Sequence, residues 1–195
     1  MNHQSREIIK QAYIKLIEEL KRRNQSDDIL NYLCSIQHFE ERWIQVELGN
    51  ILYKSLNQYG YIPWLEFKHE DIAVYAKVAN QEHWAIELKV TKNNSINIPW
   101  LNMALPQSNV PTDKKYLLII SYYCYDPSLD WTESKRYPDS KSFFAALQNN
   151  LHKHLNKFFP NSKLEVLGSL DSVANGKCPQ VLDMSGFLIS PIGMD

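Results

Sequence analysis

One short run constrains this chain more than any other: residues 84–90, Trp-Ala-Ile-Glu-Leu-Lys-Val. Alternate side chains of a β-strand point to opposite faces of a sheet. The even-numbered residues of this run are all apolar and can enter a core together, while Glu87 and Lys89 share the other face with Ala85. Two opposite charges in a strand otherwise fit for burial are costly unless they have partners or a function.

A second apolar run, residues 71–75, precedes it and opens on an acidic residue, Asp71. If the two runs form a hairpin that turns near residues 79 and 80, Asp71 lies almost opposite Glu87. Two carboxylates and the ammonium group of Lys89 then converge, which suits a divalent metal ion with a lysine beside it. The plain alternative is an ordinary cross-strand ion pair on a half-exposed sheet surface.

The composition is that of one globular domain. The chain has 195 residues, of which 44% are hydrophobic, which is enough for one domain with a core. No apolar run approaches the length of a membrane span, and the N-terminus lacks the order of a signal peptide, so we expect no membrane association. The three cysteines have no CxxC spacing and fit free thiols in the cytoplasm. The net charge of -1 is mild evidence against a nucleic-acid binder, although an acidic pocket does not prevent a basic surface elsewhere.

Hydrophobic periodicity predicts helices first, then a cluster of strands, then a helix and two more strands. The predicted helices are residues 5–23, a short one capped by Ser26, residues 39–58 ending at Gly60, and one from Asp139 or Ser140 to Pro160. The predicted strands are residues 61–68, 71–75, 83–90, 116–123, 164–167 and 186–189. The stretch 91–113, with three prolines and five asparagines, favours no clear element. This order predicts a single α/β domain with a mixed central sheet flanked by helices.

The helix predicted at 39–58 carries one further carboxylate of interest. Glu47 lies three or four residues from Trp43, Ile44 and Ile51, so it is on or at the edge of the apolar stripe. A carboxylate at that position either extends to the solvent boundary or points toward something charged.

A helix with an inward Glu47, a strand opening on Asp71 and a strand with Glu87-x-Lys89 together resemble the PD-(D/E)XK nuclease superfamily. That superfamily includes many restriction endonucleases and repair or defence nucleases. The resemblance covers roughly residues 39–123, in the order helix, three strands, then a further strand. This chain departs from the pattern before Asp71, where it has Glu70 and not proline.

The resemblance implies a restriction-endonuclease-like fold within a single domain, residues 1–195. Residues 37–195 would be the nuclease-like core and residues 1–36 an N-terminal helical extension. Because one site of this kind cuts one strand, cleavage of both strands would most simply use a homodimer, for which the extension could supply the interface.

The resemblance also implies a role for each site residue. Mg²⁺, with Mn²⁺ as a substitute, would be bound by Asp71, Glu87 and the backbone carbonyl of Leu88, while Glu47 would hold or tune a second ion. Lys89 would position the attacking water or neutralise charge on the phosphate.

The implied activity is endonucleolytic hydrolysis of phosphodiester bonds, with DNA as the expected substrate and RNA as the alternative. Restriction or another form of anti-phage defence is the implied setting. Two other functions stay open from the residues alone. One is a catalytically inactive module of the same fold that binds nucleic acid or protein. The other is a structural protein in which the charges between Asp71 and Lys89 are ordinary surface.

Overall fold

The computed structural model describes residues 2–27, 41–67, 70–77, 83–91, 114–125, 136–170 and 181–190. Within these ranges the chain forms three α-helices and six β-strands. The helices are α1 (Asn2–Asp27), α2 (Glu41–Leu56) and α3 (Ser140–Phe158). The strands are β1 (Tyr61–Phe67), β2 (Glu70–Ala76), β3 (Trp84–Thr91), β4 (Lys115–Tyr125), β5 (Leu164–Leu170) and β6 (Val181–Ile189).

The six strands form one mixed sheet in the order β1-β2-β3-β4-β6-β5. Neighbouring strands are antiparallel except β3 and β4, which are parallel. A parallel pair requires a crossover connection, and residues 92–113, which connect β3 to β4, lie outside the described residues. Pro63 is in β1 at one edge of the sheet, where a missing N–H group is tolerated. The predicted α/β class with a mixed sheet flanked by helices is confirmed.

Helices cover both faces of the sheet, and each face has its own core. The larger core packs α1 and α2 against the apolar face of β2, β3 and β4. The smaller core packs the apolar stripe of α3 against the other face of β4 and against β6. The residues that α1 contributes to the larger core are Ile9, Ala12, Tyr13, Leu16, Ile17 and Leu20. Helix α1 therefore contributes to the main core of the domain.

Local chemistry explains where several elements end. After Leu56, α2 continues as a short 3-10 turn to Gly60, whose φ of 81° is a left-handed conformation that favours glycine. The side chain of Asp139 accepts a hydrogen bond of 2.6 Å from the backbone N–H of Ser142 and so caps α3. Both predicted ends are confirmed.

The start of the chain differs from the prediction. Helix α1 runs to Asp27, so Ser26 lies within its last turn. Residues 28–40, which would contain the rest of that predicted helix, lie outside the described part of the chain. No helix among the described residues is long and apolar enough to cross a membrane.

Candidate active site

The hairpin of β2 and β3 carries the two predicted carboxylates. Its paired residues end at Ile72 and Ile86, and one further step of the same register would place Asp71 opposite Glu87. Both isoleucines are buried in the larger core. Strand alternation therefore directs Asp71 and Glu87 to the opposite face, the one that carries α3. Lys89 is two residues beyond Glu87 on the same strand and shares that face.

Close to these residues, two backbone N–H groups of β3 donate hydrogen bonds to carboxylates. The backbone N of Leu88 donates to Oδ2 of Asp71 at 2.7 Å, and the backbone N of Val90 donates to Oε2 of Glu41 at 2.9 Å. The N–H and C=O groups of one strand residue point to the same side. The carbonyl of Leu88 therefore faces the side on which Asp71 lies, as required of a third oxygen donor.

Helix α2 is fixed against the hairpin by two side chains one turn apart. Nε2 of the buried residue Gln45 donates to the backbone carbonyl of Asp71 at 2.6 Å. Oε2 of Glu41 lies 3.0 Å from Nζ of Lys89, besides accepting from Val90. Residues four apart share one side of a helix. Glu41 and Gln45, in the first turn and a half of α2, therefore both contact the strands of the site.

Sequence reasoning missed one charged residue of the site, Lys115. Its side chain is 1% exposed, and its Nζ lies 3.7 Å from Oε2 of Glu87. Lys115 begins β4 opposite Ala85 of β3, so it shares a face with Glu87. The available signal was its spacing from Leu117 and Ile119, since alternation places all three on one face of a strand.

The structure brings Glu41, and not Glu47, to the other site residues. Oε1 of Glu47 is bonded to Nη1 of Arg23 at 2.8 Å, so this carboxylate faces α1. Glu47 is six positions after Glu41, so the two side chains point about two-thirds of a turn apart around the helix axis. The prediction treated Glu47 as an inward-facing residue because it lies beside the apolar stripe of the helix. Helix α1 packs at that position and provides Arg23 as the partner.

The surroundings of Asp71 alter its protonation. Burial raises the pKa of Asp71, and the negative charge of Glu41 raises it further. The hydrogen bond from the N–H of Leu88 opposes this rise, as do the positive charges of Lys89 and Lys115. Because burial is the largest of these effects, the ionised form of Asp71 is held at a cost.

The donor atoms at this place fit a hard divalent cation. Two carboxylates, Asp71 and Glu87, and the carbonyl of Leu88 are all oxygen donors, and Mg²⁺ in proteins is commonly held by one or two carboxylates while it keeps several waters. Within the described ranges, no three or more histidine, cysteine, aspartate or glutamate side chains are grouped so that they could hold a metal ion. A magnesium ion held by two carboxylates, a backbone carbonyl and water does not need a third such side chain.

No protein-family model, no curated protein and no solved structure matches this chain.

Asp71→Asn should stabilise the metal-free protein and remove a component of its pH dependence. Between the ordinary aspartate pKa and the raised pKa of Asp71, the folded state binds more protons than the unfolded chain, so stability falls as pH rises through that window. We expect a gain of about 0.5–2 kcal/mol at neutral pH, the usual size when a strained functional position is relieved. Thermal melts of both proteins from acid to neutral pH, with EDTA, measure the difference.

Asp139→Asn is the contrasting control. The hydrogen bond from the backbone N–H of Ser142 lowers the pKa of Asp139, so its contribution to stability is lost as the pH falls. Its pH-dependent difference from wild type should therefore have the opposite sign to that of Asp71→Asn. A metal-free Asp71→Asn protein that melts below wild type at neutral pH would contradict this account of the site.

Proposed function

We propose that this protein is a metal-dependent endonuclease with a restriction-endonuclease-like fold. The observation that carries the proposal is the contact of Asp71 with β3, where its Oδ2 accepts a 2.7 Å hydrogen bond from the backbone N of Leu88, the residue between Glu87 and Lys89. Each of these residues alone is an ordinary strand residue. An acidic residue on β2 and a Glu87-x-Lys89 run on β3, close to the helix carboxylate Glu41, are together a costly arrangement for a purely structural surface.

The order of the elements also supports the proposed fold. Helix α2 is followed by the antiparallel strands β1, β2 and β3, and then by β4, which is parallel to β3. This is the order, helix, three strands and a further strand, on which the resemblance to PD-(D/E)XK nucleases rests. The proposed site lies on the two central strands of that unit.

The side chains have distinct tasks in the proposed reaction. Asp71, Glu87 and the carbonyl of Leu88 would hold Mg²⁺ or Mn²⁺, which when bound supplies a polarised phosphoryl group and a more acidic attacking water. The ammonium group of Lys89, 37% exposed and bonded to Glu41, is placed to donate to that water or to a phosphoryl oxygen. Glu41 holds Lys89 and the backbone of Val90 in place, so it orients the lysine.

DNA is the proposed substrate, and RNA is the alternative. We propose a homodimer for cleavage of both strands, and a role in restriction or other defence against phage as the biological setting. Sedimentation of the protein with and without DNA tests the dimer, because a monomer under both conditions would contradict it.

The activity is tested by nicking of supercoiled plasmid in Mg²⁺, Mn²⁺ or EDTA, with single-stranded RNA as a parallel substrate. The proposal expects cleavage with either metal and none with EDTA. Well-folded protein that cuts neither substrate would instead favour an inactive binding module of the same fold. One observation points to that second function: Lys89 and Lys115 both already lie against carboxylates, Glu41 and Glu87.

The two glutamates of α2 make a matched pair of variants. Glu41→Gln should reduce cleavage by about 10- to 100-fold, the usual effect of losing a group that orients site residues. Glu47→Gln should lose only its ion pair with Arg23 and cleave close to the wild-type rate. Initial nicking rates with Mn²⁺ compare them. The opposite ranking would return the role of helix carboxylate to Glu47.

A further inference from the structure

Lys115 is the most deeply buried charged residue of the site. Its side chain is 1% exposed, compared with 17% for Glu87 and 37% for Lys89. Its register partner on β3 is Ala85, which is fully buried and has the smallest side chain that an L-residue can place there. Ala85 thus leaves room for the lysine stem to pass over β3 toward Glu87.

A buried ammonium group is tolerated only beside a compensating charge. For Lys115 that charge is Glu87, whose Oε2 is 3.7 Å from Nζ, and its field also reaches Asp71. Lys89 differs because it is more exposed and is bonded to Glu41. Solvent and Glu41 therefore screen Lys89, whereas Lys115 acts on the two proposed metal ligands through a poorly screening interior.

We infer that Lys115 is a built-in counter-ion that neutralises the carboxylate pair and lowers its affinity for a divalent cation until a phosphate group joins the site. This inference rests on the proposed function in one respect, namely that Asp71 and Glu87 are the metal ligands. Among the charged side chains of the site that the structure describes, Lys89 and Glu41 cancel each other, and Asp71, Glu87 and Lys115 sum to one negative charge. A divalent cation brings the sum to one positive charge, and one phosphodiester group then brings it to zero. The lysine thus favours metal binding together with nucleic acid over metal binding alone.

Lys115→Met keeps most of the stem and removes the charge, so it isolates this effect. Calorimetric titration with Mn²⁺ in the absence of nucleic acid should show at least about a tenfold tighter dissociation constant than wild type, because a unit charge so close to a ligand is worth more than one decade of affinity in a protein interior. Lys163→Met removes the same charge from an exposed position and should leave the Mn²⁺ affinity at the wild-type value. A Lys115→Met protein that binds Mn²⁺ no more tightly than wild type overturns the inference.

Thermal melting is a second readout, and it does not depend on cleavage. Metal-free Lys115→Met should melt below wild type, since Glu87 loses its counter-ion, and saturating Mn²⁺ should remove that difference. A purely structural lysine would leave a deficit that Mn²⁺ does not repair, which would overturn the inference.

The double variant Lys115→Met/Glu87→Gln removes both charges of the pair and serves as the safeguard if the single variant does not fold. It should fold and melt at a higher temperature than metal-free Lys115→Met. It should not show the tighter Mn²⁺ binding expected of that single variant. Failure of the double variant to fold would show that Lys115 is required for packing and would overturn the inference. The titrations involve no cleavage. If the protein follows this pattern but cuts no substrate, the proposed activity is contradicted, while the inference about Lys115 and the two carboxylates still holds.

Discussion

Lys89→Ala should lower the rate of plasmid nicking by roughly two orders of magnitude or more, the usual contribution of a positioned acid–base or charge-stabilising group. The variant should still bind Mn²⁺ at least as tightly as wild type, because it keeps Asp71, Glu87 and the backbone of Leu88. Its fold should also be kept, since Lys89 is partly exposed and its bond to Glu41 lies at the surface of the site. Initial nicking rates and calorimetric Mn²⁺ titrations measure the two properties separately.

Glu87→Gln should behave differently, because it removes a proposed metal ligand. We expect this variant to lose both Mn²⁺ binding and cleavage, and to melt at a lower temperature than wild type because buried Lys115 loses its counter-ion. Lys77→Ala is the matched control for Lys89→Ala: Lys77 is an exposed lysine just after β2, bonded to Asn57 at the other end of the hairpin. Cleavage by Lys89→Ala at the rate of the Lys77→Ala control would rule out the proposed site.

The second large effect concerns packing between α1 and the sheet. Gly186→Ala should destabilise the protein by about 1–3 kcal/mol, the usual cost of overfilling a packed core. A Cβ atom at residue 186 would lie 2.5 Å from Cζ of Tyr13. That ring cannot move aside easily, because Tyr13 is 1% exposed and its hydroxyl donates to the backbone carbonyl of Gly168 at 3.3 Å.

Gly49→Ala is an informative comparison, because its added Cβ atom would come almost as close to a neighbouring side chain as the one in Gly186→Ala. A Cβ atom at residue 49 would lie 2.6 Å from Cδ2 of Leu65. Leu65 is 38% exposed, so the tip of its side chain has space to turn. Alanine is also favoured over glycine within a helix by up to about 1 kcal/mol. We therefore expect Gly49→Ala to be neutral or stabilising in urea and thermal unfolding. Equal losses for the two variants would contradict this view of the interface at Tyr13.

The local geometry of the site could be predicted because it depends on a short hairpin. A turn near residue 79 sets a register in which Asp71 falls opposite Glu87, and the observed pairing of Ile72 with Ile86 follows that register. The catalytic and metal-binding roles of these residues stay predictions, as does the restriction-endonuclease-like fold.

What the sequence could not supply was the identity of the neighbours. Periodicity shows which residues of one element share a side, but it does not show which other element packs there. Glu47 was taken as a site residue because nothing in the pattern indicated that Arg23 of α1 would lie against it. Lys115 was missed for the same reason, since its distance from Glu87 depends on the parallel pairing of β3 with β4.

That parallel pairing also determines when the site can exist during folding. The contact between Glu41 and Val90 spans 49 residues of chain, and Lys115 reaches Glu87 only after β4 has joined β3. Contacts between distant segments, and parallel strands in particular, form slowly because the chain entropy is lost before the contacts are gained. A newly made chain that has only its local hairpin would hold Asp71 near Glu87 without the two lysine–glutamate contacts of the finished site. The complete charge arrangement is thus a property of the finished fold, and a nuclease built this way would stay inert until its folding is complete.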